Sequence, residues 1–269
     1  MQNYSSKHTI ETFSFLKDDL NELNLHKTTT VVHLSALVHQ MGGESSEEYE
    51  KVNVTQSLLL AKKAKESGVG HFIFMSSVKA YGEESRSVYK ESTPCNPQDE
   101  YGKSKLKAEK ELQKMQDDSF KISIIRTPIV YGYGVKANVK NLVNLVKKVS
   151  ILPLGSIRNK RSMVYVGNLC HLIDALIEQK KEGVFLASDD EAVSTTGLIE
   201  LIAKNLDKKI TLIKIPFFQE LLKLLKPSFH KRLYESLEVD NRHTKEILNF
   251  ENLYSVEEGV LLMLNGEAL

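Results

Sequence analysis

Ser77, Tyr101 and Lys105 supply a hydroxyl, a phenol and an ammonium. Together these groups suit proton transfer to and from an alcohol whose carbon exchanges a hydride. If Tyr101 opens a helix, Lys105 lies one turn further along the same face, where its cation favours the ionised phenol. A phenolate near neutral pH is a general base for such a hydroxyl. Of the ten tyrosines only Tyr101 has a lysine four residues on. A lysine-rich chain offers about one such pair by chance, so the spacing needs support from its surroundings.

Other side chains invite a sharp and a bland reading. Arg126 and Arg161 carry guanidinium forks that fit phosphate oxygens. Lys79 meets either a substrate anion or, more blandly, water. Ser76 and Ser77 either face ligand or satisfy backbone at a strand end. His33 has no second histidine, cysteine or carboxylate at metal-ligand spacing and reads as structural, with a ring nitrogen tied to backbone. Phe217 to Lys226 shows an apolar stripe at helical spacing beside basic residues, which reads as a core-facing helix or as one that touches a membrane.

These groups need a scaffold, and its texture is α/β. Short apolar, β-branched runs at Thr30 to Leu34, His71 to Met75 and Ile122 to Ile125 alternate with helix-like stretches at Glu47 to Ser67 and Lys103 to Met115. That alternation implies a parallel sheet with crossover helices. Lys79 to Pro97 is polar, carries two prolines and reads as the loop between the hydroxyl and the phenol. Beyond about Asn138 the elements shorten, and a soft boundary falls near Ser150, separating 1–150 from 151–269.

Composition narrows the partners. Thirty-six basic and thirty-five acidic side chains leave the net charge near zero, so no general attraction to nucleic acid is expected. Cys95 and Cys170 lie far apart without metal-type spacing and fit a reducing, cytoplasmic setting. The polar opening does not resemble a signal peptide, and no apolar run approaches the roughly 20 residues that span a bilayer. No stable membrane insertion is expected.

The ordered motifs resemble the extended short-chain dehydrogenase/reductase family, in particular its NAD-dependent epimerases, dehydratases and 4-keto reductases of nucleotide sugars. Val31 to Ala36 resembles its strand and "HLAA" turn, Tyr49 to Thr55 its "Y..VN..GT" helix, and His71 to Ser77 its "FIFxSS" strand. The Tyr101/Lys105 pair follows at the expected distance. Ile124 to Gly132 resembles the "RPxxVYG" strand, and Asn159 to Leu169 the segment in which an arginine meets the substrate diphosphate.

The resemblance implies a Rossmann-like doubly wound parallel sheet with a smaller C-terminal substrate-binding region over 151–269. It implies NAD as cofactor, with NADP open, contacted by Leu34, Ser35, Ala36, Asn53, Ser76, Tyr101 and Lys105. Ser77, Tyr101 and Lys105 become the catalytic set. Ser77, Lys79, Asn138, Arg161 and Arg232 become contacts to a nucleotide-sugar substrate of UDP type, and Arg126 anchors a strand end. A homodimer through the Tyr101/Lys105 helix is implied as well.

One departure is large. The family opens with a strand and a glycine-rich turn that cradles the cofactor pyrophosphate, yet there is no glycine before Gly42. The 1–150 unit reads as N-terminally incomplete, lacking its first βαβ and entering at the family's third strand with Thr12 to Leu16. Three functions stay open: an NAD-dependent 4-epimerase for UDP-hexose or UDP-N-acetylhexosamine in surface polysaccharide synthesis; an NAD(P)H-consuming 4-keto-6-deoxy reductase; and a truncated, non-catalytic relative.

Overall fold

The structure is a computed structural model and describes residues 8–38, 45–85 and 87–266. From β1 (Thr30–His33) the chain passes through α1 (Ser46–Tyr49), a π turn (Glu50–Thr55) and α2 (Gln56–Glu66) to β2 (His71–Ser77). A short 3-10 turn (Val78–Ala80), α3 (Glu100–Lys114), β3 (Lys121–Thr127) and β4 (Ile129–Tyr131) follow. The second half contains α4 (Ala137–Lys148), β5 (Ile151–Leu152), β6 (Met163–Tyr165), α5 (Val166–Gln179), β7 (Gly183–Leu186), α6 (Thr195–Asn205) and β8 (Thr211–Leu212). It ends in α7 (Phe218–Leu225), α8 (Pro227–Tyr234), α9 (Arg242–Leu248) and α10 (Val256–Asn265).

β1, β2, β3 and β7 form a parallel sheet in the order β1-β2-β3-β7. β2 is buried almost throughout because both of its faces are covered, with an apolar run from Phe72 to Met75 at its centre. Its alternate residues divide between two cores, as a period of two requires. Phe72 and Phe74 pack with Leu60, Ala61 and Ala64 of α2 and Ala108 and Leu112 of α3. Ile73 packs on the opposite face with Leu169, Leu172 and Leu176 of α5. A third core joins β4 and β6 to α4, α6 and α10. The result is the expected Rossmann-like layered α/β arrangement.

Three details differ from the sequence expectation. Thr12 to Leu16 forms no strand: the carboxylate of Asp18 accepts from the Ser14 amide at 2.7 Å and closes a local turn there. α3 begins before Lys103, because Asp99 caps it by accepting from the Gly102 amide at 2.7 Å. The soft boundary near Ser150 does not separate the sheet from the rest, since β7 and the α5 that covers it come from beyond it.

Parallel strands end on one side, so Leu34 after β1, Ser77 at the end of β2 and Thr127 at the end of β3 share one rim of the sheet. In open α/β sheets that rim is where ligands bind.

Candidate active site

Ser77 closes β2 and caps the 3-10 turn, its hydroxyl accepting from the Lys79 amide at 3.2 Å. The phenol of Tyr101, which α3 brings over from the facing side, comes close enough to this hydroxyl for it to favour the ionised phenol. This close approach depends on Gly102: a Cβ there would lie 2.6 Å from the Lys79 carbonyl oxygen. Tyr101 is pushed up to about 12, first by burial, with Asp99 and Tyr49 adding to the rise and the Ser77 hydroxyl opposing it.

Lys105 lies one turn on, as the helical spacing requires, and is 1% exposed. Its ammonium donates to the Met75 carbonyl at 2.8 Å and sits 4.5 Å from the centre of the Phe74 ring. Burial pulls Lys105 down to about 7, with Glu109 opposing. The expected lowering of the phenol by this ammonium is therefore not what the chain alone produces. The cation is directed at strand backbone and an aromatic face, and burial governs both groups.

Three other predicted contacts are engaged elsewhere. Asn53 is wholly buried in the π turn; its amide accepts from the Leu37 amide at 2.8 Å and donates to the Leu37 carbonyl and the Ser104 hydroxyl at 2.9 Å each. It pins the turn after β1 instead of reaching a cofactor. Ser76 is 2% exposed and donates to the Glu109 carboxylate. Lys79 pairs with Asp99 and, at 3.4 Å, with Glu83, so its ammonium is committed to carboxylates within the chain.

By contrast, Leu34 and Ser35 are exposed and Ala36 is half-buried at the sheet rim. His33 is buried, and burial lowers it to about 4, with Lys105 contributing. Its Nε2 lies 2.9 Å from the Ser57 hydroxyl, whose proton goes to the Asn53 carbonyl; Nε2 therefore carries hydrogen and donates. The tie is to a side chain, where backbone was expected.

The substrate-side residues converge. Arg161 donates to the Glu235 carbonyl at 3.0 Å, and Arg232 of α8 donates to Asn138 at 3.3 Å. Arg161 is lowered by burial and also by the neighbouring Arg232 cation. Two guanidiniums at such range gain from an anion between them, and a diphosphate has the required oxygens. Burial and Glu84 push the nearby Glu235 carboxyl up, with Lys231 and Lys223 opposing.

Sequence reasoning missed Glu109. It is 2% exposed, receives Ser76, and forms a fork with Arg126, whose Nε reaches the two carboxylate oxygens at 3.1 and 3.2 Å and whose Nη2 reaches one at 2.5 Å. The guanidinium also lies 4.5 Å over the Tyr81 ring. Arg126 is thus the strand anchor, and no anion site. A signal was present: Lys105, Ala108, Glu109 and Leu112 share the buried stripe of α3, and a glutamate on a buried stripe demands a partner.

The fit to a dinucleotide is divided. The rim at Leu34 to Ala36, the Ser77/Tyr101 pair and Lys105 are the residues that would hold the nicotinamide ribose end, since a phenol and an ammonium can both bond ribose hydroxyls, Lys105 only by turning from the Met75 carbonyl. Among the described residues none forms a glycine-rich cradle at a helix N-terminus for the pyrophosphate.

The chain is 42% identical over 252 residues to a UDP-glucose 4-epimerase of Vibrio cholerae, covering 88% of this chain and 76% of that one. It is 29% identical over 193 residues to an N-acetyl-alpha-D-glucosaminyl-diphospho-ditrans,octacis-undecaprenol 4-epimerase of Escherichia coli O157:H7, covering 70% of this chain and 58% of that one. Among solved structures it resembles a UDP-glucuronic acid 4-epimerase from Bacillus cereus in complex with NAD, with a TM-score of 0.75 at 21% identity, over 94% of this chain and 78% of that one. The family model for the NAD dependent epimerase/dehydratase family matches residues 6–186, and with the relatives above it shows that the chain belongs to that family.

Proposed function

We propose that the chain is an NAD-dependent 4-epimerase of a UDP-linked hexose or N-acetylhexosamine that serves surface polysaccharide synthesis. The observation that carries this reading is the Ser77 and Tyr101 hydroxyl pair at the sheet rim beside the buried Lys105. Support comes from the 42% identity to the Vibrio cholerae UDP-glucose 4-epimerase. NAD, when bound, supplies a cationic hydride acceptor.

The chain's own groups do the rest. Ser77 holds the C4 oxygen, and Tyr101 exchanges its proton. With its phenol at about 12, Tyr101 donates as it stands and accepts only when positive charge lies within a few ångströms. Lys105 orients the ribose and adds charge when protonated. Arg161, Arg232 and Asn138 hold the diphosphate while the sugar presents one face and then the other.

The experiment is a calorimetric titration of the folded chain with NAD(H), followed by assays on UDP-glucose and UDP-N-acetylglucosamine with and without stoichiometric NAD(P)H. Epimer formation with catalytic NAD alone, abolished in Tyr101→Phe with UDP-sugar binding retained, is the expected result. Product that forms only as NAD(P)H is consumed would replace this reading by the keto reductase. A folded chain that binds UDP-sugar but no NAD(H) would leave a non-catalytic relative.

A further inference from the structure

Ser77 and Tyr101 come from two different elements, and Lys79 and Asp99 join those elements. Asp99 caps α3 two residues before Tyr101: its Oδ1 accepts from the Gly102 amide at 2.7 Å and its Oδ2 accepts from the Lys79 ammonium. Lys79 in turn meets the site in three ways. Its amide donates to the Ser77 hydroxyl at 3.2 Å, its carbonyl lies so close to Gly102 that a Cβ there would stand only 2.6 Å away, and its ammonium holds the cap.

Stability is not what the ion pair supplies. Its side chains are 29% and 18% exposed, and pairs at such exposure contribute little. An asparagine caps a helix about as well as an aspartate. What the aspartate alone brings is a negative charge beside the phenol, where it adds to burial in holding Tyr101 up at about 12. What the lysine alone brings is a cation that offsets this charge. Of the other elements packed there, α1 presents the Tyr49 phenol, with ring centres 6.4 Å apart, and α3 itself carries Lys105 one turn on. Glu50 of the π turn is answered by Lys107 at 2.5 Å and Glu100 by Lys103 at 2.7 Å, while Lys51 is exposed. Asp99 is thus a carboxylate next to the proton-exchanging group whose counter-ion comes from the Ser77 side.

We infer that Asp99 and Lys79 are positioning residues for the proton exchange of Tyr101: the carboxylate keeps the phenol protonated and the helix start seated against Ser77, and the ammonium limits that hold so that the proton can leave when cofactor charge arrives. The inference rests on the acid/base role proposed above for Tyr101, but its electrostatic part is readable without turnover. The test labels the chain with 3,5-difluorotyrosine, a more acidic phenol that titrates where the fold persists. The fluorine resonance of position 101 is assigned by its disappearance in Tyr101→Phe.

At a fixed pH near the midpoint, Asp99→Asn should raise the ratio of phenolate to phenol roughly threefold or more, and Lys79→Met should lower it by a similar factor. Lys79→Arg keeps the cation and should leave the ratio of the parent. A latch that acted by packing alone gives another pattern: either loss lets water reach the phenol, and both move the ratio upward. Asparagine keeps the cap and Lys79 is partly exposed, so the variants should fold as the parent does. In a chain that turns over UDP-glucose, the pH profile of kcat should move in the same two directions with KM little changed. Movement in one direction by both variants, movement by neither, or Lys79→Arg behaving as Lys79→Met would overturn the inference. Opposite movements in a chain without turnover support the charge balance and count against the assigned reaction alone.

Discussion

Glu109→Gln removes one charge while keeping the shape of the side chain, at a position where the carboxylate is 2% exposed and answers a guanidinium 5% exposed. Three guanidinium contacts between 2.5 and 3.2 Å, together with the Ser76 hydroxyl, converge on this one group. Leaving the Arg126 cation buried without its counter-charge costs about 3–5 kcal/mol. With a urea slope of roughly 3 kcal/mol/M, the midpoint should fall by about 1–2 M. The pair Glu109→Leu with Arg126→Met removes both charges, leaving mainly the Ser76 hydroxyl unsatisfied at about 1–3 kcal/mol. The double variant should therefore be more stable than Glu109→Gln. Urea unfolding followed by far-UV circular dichroism measures both. A loss below about 1 kcal/mol in the single variant, or a double variant that costs the sum of its singles, would refute the view that this pair clamps β2, α3 and β3 together.

Lys105→Met should abolish turnover and flatten the pH dependence of stability. Lys105 is held at about 7 in the fold against roughly 10.4 in an unfolded chain, so the unfolded state binds more protons between those values and the parent gains stability as pH rises from about 7 to about 10. Unfolding across that range should show the slope in the parent and its loss in the variant. Gly102→Ala should cost about 1–3 kcal/mol and reduce turnover further than stability alone explains, since the new Cβ pushes the start of α3, and Tyr101 with it, away from the Lys79 carbonyl; kinetics at matched folded fraction checks this.

Three of the four strands of the sheet were legible because each is a short apolar run bounded by turn residues, whereas the four-residue β7 was not read; the spacing of Tyr101 and Lys105 was legible because four residues make about one helical turn. Less legible was what each polar group does once placed. Asn53 and Ser76 sit in motifs that suggest ligand contact, yet the helix above them supplies Ser104 and Glu109 as partners. Those pairings span 51 and 33 residues and follow from how α3 lies on β2, which no local pattern encodes. Thr12 to Leu16 misled for the opposite reason: its alternation suits a strand, but Asp18 closes a turn nearer in the chain.

The same limit applies to the link between the catalytic rim and the arginine pair. Lys79 reaches Glu83 at 3.4 Å, and Glu83 lies 3.9 Å from Lys231, the residue before Arg232. These ion pairs are partly exposed, so each contributes under about 1 kcal/mol and cannot hold the two clusters in register. Backbone does that: the Ser85 amide donates to the Ser236 carbonyl and the Tyr89 amide to the Glu238 carbonyl, both at 2.9 Å, while the Asp240 amide returns to the Tyr89 carbonyl at 2.8 Å. The loop between Ser77 and Tyr101 is thus stitched to the segment that follows Arg232. The distance from the Ser77 and Tyr101 hydroxyls to the Arg161 and Arg232 guanidiniums is thus held by backbone bonds around the parallel bridge of Tyr89 with Val239. Substitutions of Lys79 should accordingly perturb the site less than a proline that deletes the Tyr89 or Ser85 amide donor.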